Sequence, residues 1–188
     1  MSIIAIIIIV AIVIVLFLIG TYNSLIRLRN QVKNAWQQID VQLKRRHDLI
    51  PNLVNSVKGY MDFEKSTLES VIQARAAAIG ARNISDTIQK EDALTAAVSK
   101  LFAVAENYPD LKSNTTVMEL MEELRTTENQ IAFARQFYND ITTKYNTKLE
   151  IFPINLFASA LNFQTFPLFE ITDARERETP TVDLSLKK

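Results

Sequence analysis

Few residues in this chain carry the chemistry of a catalytic or metal centre. His47 is the only imidazole, and it stands beside Asp48 in the stretch LKRRHDLIPNLVNSVKGY, residues 43–60. A histidine and a carboxylate can share a proton or hold a metal, but sequence neighbours on a helix do not face each other, and a zinc site needs several converging ligands. The chain has no cysteine, which excludes disulfides, thiolate catalysis and thiolate metal sites. It also lacks a phosphate-cradling glycine loop. The expectation is a protein that is not an enzyme and takes no cofactor, metal or small-molecule substrate, with His47 an incidental polar position.

Charge points the same way. Formal net charge is zero, with 21 basic and 21 acidic side chains, so bulk attraction to nucleic acid is absent. The cluster Lys44, Arg45, Arg46 is flanked by Asp40 and Asp48, and falls short of the roughly four to eight basic residues that mark lipid-headgroup recognition. Glu119, Glu122 and Glu123 read as a solvated face near a helix start, where negative charge is favourable. Arg46, Gln42 and Glu64 are different, because they fall on an apolar stripe, and Arg75, Glu128 and Arg135 border such stripes. Charges on a core-facing seam must be paired. The expectation is one or two polar layers linking Arg46, Glu64, Arg75, Glu128 and Arg135, with Asn139 as a further member.

Tyr138-Asn139 and Tyr145-Asn146 repeat at seven residues and echo Tyr22-Asn23. Tyrosines at that spacing belong to a helical core or interface rather than to a platform for stacking bases, and their hydroxyls will seek partners, with the following asparagines close by.

These residues must be positioned by long helices. From Ile3 to Ile19 the run IIAIIIIVAIVIVLFLI has no charged or hydrogen-bonding side chain, and its length suits a helix crossing a bilayer. MSII lacks the basic start of a signal peptide and FLIGTYN is a poor cleavage site, so residues 1–21 are expected to be a retained anchor. Arg27, Arg29 and Lys33 follow it, and the positive-inside rule then leaves the N-terminus outside and the rest in the cytoplasm. Beyond the anchor, apolar residues recur at threes and fours from Leu25 to Ala78, in phase across Pro51. The spacing predicts one kinked helix reaching Gly80, with a fold-back near His47 as the alternative.

A second helix is expected from about Asp86 to Asn107, capped by Ser85 or Asp86. A third starts near Asn114, with Thr116 and Glu119 spaced as a capping box, and carries the stripe Val117, Leu120, Leu124, Thr127, Ile131, Ala134, Tyr138, Ile141, Tyr145, Leu149 to Pro153. INLFASALNF reads as a short apolar helix. A first helix of about 85 Å cannot lie flush with partners of about 33 and 58 Å. Either it folds back, or exposed stripe is covered by another copy or a protein partner.

The segments YNSLIRLRNQVKNAWQQIDVQLKRRHDLIPNLVNSVKGY at 22–60, ENQIAFARQFYNDITTKYN at 128–146 and FPINLFA at 152–158 closely resemble the LemA family. The resemblance implies a bacterial single-pass inner-membrane protein whose cytoplasmic part is an elongated antiparallel, up-and-down helical bundle. It also implies no established catalysis, and an association with intracellular membrane organisation in a magnetosome branch. Where many members have a His-Glu pair after the Tyr-Met position, this chain reads Asp62-Phe63-Glu64, so a metal site there has no imidazole. The expected organisation is an all-α chain: anchor 1–21, helical bundle 22–163, and a non-helical, flexible tail 164–188. Its expected role is a self-associating scaffold held to the membrane by residues 3–19, or else an adaptor presenting a client or a membrane enzyme such as a protease. Arg46, Pro51, Glu64, Arg75, Glu128, Arg135, Tyr138, Asn139 and Tyr145 are the candidate structural and interaction residues.

Overall fold

The computed structural model describes residues 3–60 and 64–169. Among them, six helices follow in order: α1 (Ile3–Val57), α2 (Lys65–Ile79), α3 (Ile84–Ala105), α4 (Pro109–Ser113), α5 (Thr115–Glu150) and α6 (Asn155–Ala158). The two long ones, α1 and α5, run antiparallel along a shared seam. Lys148 reaches Ser24, Trp36 meets Tyr138 with ring centroids 5.4 Å apart, and Asn114 Nδ2 donates to the Tyr60 hydroxyl at 3.1 Å.

The predicted continuity of α1 across Pro51 holds, and the fold-back at His47 does not occur. Proline has no N–H to give to the carbonyl four residues earlier, which leaves the His47 oxygen without its helical donor. Arg75 replaces it: its Nε donates to that oxygen at 2.7 Å. The helix does not reach Gly80, however. It ends at Val57, and Tyr60 N–H donates to the Val57 carbonyl at 2.9 Å in the turn that leads towards α2. The three-four spacing stays in phase across this turn and so conceals it.

Two helix starts, those of α3 and α5, are set by asparagines. Asn83 Oδ1 accepts from Asp86 N–H at 2.9 Å to cap α3, in place of the expected Ser85 or Asp86. Asn114 Oδ1 accepts from Val117 N–H at 3.2 Å to cap α5. Both satisfy donors a helix start leaves open.

Two hydrophobic cores result. The distal one joins Leu49–Val57 of α1 to Leu68 and Val71 of α2, Leu94, Val98 and Leu101 of α3, and Val117 and Leu124 of α5. The proximal one joins Leu25, Val32, Ala35, Ile39 and Leu43 of α1 to Ile131, Tyr138, Tyr145 and Leu149 of α5, closed by Ile154, Ala158 and Phe163. Each fully buried aliphatic side chain contributes about 1.5–3 kcal/mol relative to exposure. The α5 stripe is therefore covered within the chain, so cover by another copy or a protein partner, one of the expected alternatives, is not needed for this stripe.

Below the proximal core, α1 continues into the apolar run. Its most apolar window has a mean hydropathy of 3.7 and none of it is buried against the rest of the protein, so by length and composition it is a candidate membrane span.

Candidate functional site

The junction between the two cores is polar. Arg46, on the α1 stripe, is completely buried. Its Nη1 donates to both carboxylate oxygens of Glu128 on α5, at 2.9 and 3.0 Å, and to the Thr95 hydroxyl on α3 at 2.7 Å. Its Nη2 pairs with the buried carboxylate of Glu91 on α3 and reaches the Glu91 carbonyl at 3.3 Å. One guanidinium thus holds three helices together, as its planar fork of donors permits.

His47 joins the same cluster. Its Nε2 lies 2.9 Å from Glu91 Oε1, within ion-pair reach though without well-aligned hydrogen-bond geometry. The expectation of an incidental His47 is therefore corrected. Burial pushes the Glu91 carboxyl up, but His47 and Arg46 outweigh it and hold the pKa below the ordinary glutamate value. Beside this clasp, Arg135 Nη1 donates to Asp92 at 2.7 Å while its guanidinium lies 4.7 Å from the Phe169 ring centroid. Burial lowers the Arg135 pKa and raises that of Asp92, in each case against the partner's opposing charge.

The expected polar layers are thus partly assembled. Arg46 and Glu128 meet directly, Arg135 sits beside them with Asp92, and Arg75 acts on the backbone carbonyl of His47. Glu64 does not take part: it precedes α2, its carboxylate oxygens 3.5 Å from the Thr67 and Tyr108 hydroxyls. Glu91, Thr95 and Asp92 were missed. The signal for Glu91 was present, because Ile88, Glu91, Leu94 and Val98 share one helical face, and a carboxylate on such a face calls for a buried cation.

Asn139 is not in the clasp either. Residues 164–169 have no helix, yet they do not hang free: they lie as a strap along the proximal seam. Asn139 Nδ2 donates to the Phe169 carbonyl at 2.8 Å and its Oδ1 accepts from Phe169 N–H at 2.9 Å. Asn146 makes the same reciprocal pair with Phe166, at 2.9 and 3.0 Å. The Tyr138 hydroxyl donates to the Pro167 carbonyl at 2.8 Å. One heptad of helix rises about 10.5 Å and three extended residues span about 10 Å, so asparagines seven apart match backbone groups three apart. The repeated Tyr-Asn pair is a clamp of that pitch. Phe166 packs on Tyr145 at 5.4 Å, and Phe169 stacks on Trp36 at 5.9 Å. The predicted flexible tail therefore begins after this strap at the earliest, and positions from 170 onward lie outside the described residues, as do Asp62 and Phe63.

On the other flank of the same seam is an open cleft of about 440 Å³, lined by Gln38, Val41, Gln42, Gln130, Phe133 and Phe137. Val41 and Phe133 are 64% and 73% exposed, and Gln42 Oε1 is buried without a hydrogen-bond partner. Among the described residues, no group of three or more histidine, aspartate or glutamate side chains converges in a metal-holding arrangement.

Comparison with known proteins finds similar chains. Protein LemA of Metamycoplasma hominis is 28% identical over 171 residues, covering 88% of this chain and 76% of the relative. Magnetosome proteins MamQ 2 and MamQ 1 of Paramagnetospirillum magneticum are each 22% identical over 179 residues, covering 81% of this chain and 66% of the relative. This chain thus spans about two thirds of the length of those magnetosome proteins. The LemA family model matches residues 35–184, which take in the clasp, the clamp and the strap, and the chain belongs to the LemA family.

Proposed function

We propose that this protein is a membrane-anchored, non-catalytic scaffold at the cytoplasmic face of a bacterial inner membrane, acting through self-association and contacts that organise the membrane. The observation that carries this reading is the unbroken α1. It passes from the apolar run into the bundle with no linker, and Leu25 is already fully buried. A helix rises about 1.5 Å per residue, so Arg46 stands roughly 40 Å beyond Ile19 and the α1–α2 turn roughly 57 Å beyond it. Such a post fixes the height of every surface it presents. The basic residues Arg27, Arg29 and Lys33 just beyond the span support a cytoplasmic bundle. The relatives described as magnetosome proteins support a role at membranes.

The neutral cleft at Val41 and Phe133 supports self-association. It carries no charge to repel its own copy, and posts of equal height bring the same cleft face to face. The chain lacks cysteine, so a single introduced thiol cross-links only to another copy. Oxidising the full chain in vesicles should give abundant dimers for Gln130→Cys and few for Gln73→Cys on the exposed face of α2. Equal yields, or none from either, would contradict self-association through this face.

A further inference from the structure

The end of the bundle nearest the span carries a second set of exposed apolar side chains. Ile151 is 49% exposed, Phe152 78%, Leu156 70% and Leu161 45%. They belong to the turn after α5, to α6 and to the segment following it, and their height is fixed by contacts with α1. Lys148 Nζ donates to the Ser24 hydroxyl, and the Tyr22 and Phe163 rings meet edge to face at 5.7 Å. Because α5 descends as α1 rises, its last turn beyond Lys148 approaches the span, and Phe152, two residues past the end of α5, stands close to the level of Gly20 before the chain turns back as the strap.

The length of the span sharpens this placement. Seventeen residues of helix from Ile3 to Ile19 cover about 25 Å, against about 30 Å for a bilayer's hydrocarbon core. A short span draws its flanking residues towards the bilayer. Aromatic and aliphatic side chains at that level sit favourably at the boundary between headgroups and acyl chains, where interfacial elements bury their apolar faces about 5–10 Å deep. Lys148, on the last turn of α5, and Arg27, one turn beyond Ser24, supply cations at headgroup height.

We propose that Ile151, Phe152, Leu156 and Leu161 form a membrane-seated foot, a second lipid contact that braces the bundle against the bilayer beside its anchor. The occupant of this apolar surface is the lipid interface itself, because these residues stand beside the point where the span leaves the bilayer and continue its apolar surface. The foot restrains the tilt of the post in a way a lone helix does not. It rests on the reading of residues 3–19 as a membrane span, and the test separates the two.

Single nitroxide labels at Phe152→Cys, Leu156→Cys, Gln73→Cys and Ile12→Cys, each in the full chain, are placed in vesicles of phosphatidylcholine and phosphatidylglycerol; Gln73 is exposed on α2, away from the cleft. The relaxation of each label by oxygen, which partitions into lipid, is compared with relaxation by a water-soluble nickel chelate. The expected result is oxygen dominance at 152 and 156, as at 12, and nickel dominance at 73. Nickel dominance at 152 and 156 with oxygen dominance at 12 overturns the foot and leaves the span standing. Nickel dominance at all four positions overturns the span as well. Labels at 152 and 156 shielded from both reagents reveal a protein neighbour there, and oxygen dominance at 73 reveals a bundle lying flat; either result overturns the foot.

Discussion

The distal and proximal halves of the bundle use the same two helices and solve the same problem differently. Two antiparallel helices leave both flanks of their seam open, so a third layer must close the core. At the distal end that layer is the α2–α3 hairpin, with aliphatic side chains interlocking across five helices, Leu111 of α4 included. At the proximal end it is an extended strap of aromatic residues, fixed by side-chain amides that imitate the pairing of a β-ladder. The strap covers one flank only and the cleft at Phe133 and Phe137 stays open on the other. Closure by helices leaves a self-contained unit, whereas closure by a strap leaves a surface near the membrane for other contacts.

The clasp at Arg46 divides these halves and should be the most sensitive point. Arg46→Met leaves Glu128 without its cation and Glu91 with His47 alone, and should cost about 3–5 kcal/mol, read as a lowered thermal midpoint of the full chain in detergent. Adding Glu91→Leu and Glu128→Leu should recover most of that loss, since an apolar replacement of a buried ion cluster is often neutral. No recovery would mean that the clasp specifies the junction rather than merely neutralising it.

Unpinning the strap should separate the halves. Asn139→Ala with Asn146→Ala removes two reciprocal amide pairs, at a net value of about 0.5–1.5 kcal/mol per hydrogen bond. Limited proteolysis should then cut after Phe163 while α2 and α3 keep their protection. Equal loss of protection in both halves would show that they unfold as one unit.

Arg75→Met should cost about 1–3 kcal/mol by orphaning the His47 carbonyl. The same change in a Pro51→Ala background should cost less, because the restored N–H satisfies that carbonyl within α1. Additive effects in this double-mutant cycle would disconnect Arg75 from the proline.

Acid should act on the junction with a definite sign. Because its folded pKa lies below 4.5, ionised Glu91 stabilises the fold above about pH 4.5, and that stability is lost as pH falls through the lower folded value. Asp92 and Asp40, both raised by burial, oppose it. The gap in thermal midpoint between wild type and Glu91→Gln should therefore be wide near neutrality and narrow in acid, and a constant gap would contradict this. The smallest effect is expected at the exposed Arg45–Glu123 pair, 2.8 Å apart, where Arg45→Ala should change stability by less than about 0.5 kcal/mol.

Local rules made much of this legible. The apolar run, the α5 stripe, the continuity of α1 across Pro51 and the buried position of Arg46 all follow from spacing and charge. What spacing could not show was which helix supplies the partner of Arg46, since that depends on the turn at Lys58–Tyr60, and an unbroken three-four pattern hides it. The strap was concealed for a different reason. QTFPLF has no period of its own, and its order is imposed by Asn139 and Asn146, whose heptad spacing in the sequence points only to support for the tyrosine hydroxyls. Once that spacing is compared with the pitch of an extended chain, an aromatic segment with a proline becomes the natural occupant.

If α1 makes the bundle a rigid post on the membrane, neutron reflectometry of the full chain in a supported bilayer should show a protein layer whose outer edge stands about 57 Å beyond the hydrocarbon boundary, at α1's rise per residue. A layer only one bundle-width thick would mean that the helix breaks or lies down after Ile19, and the post would have to be abandoned.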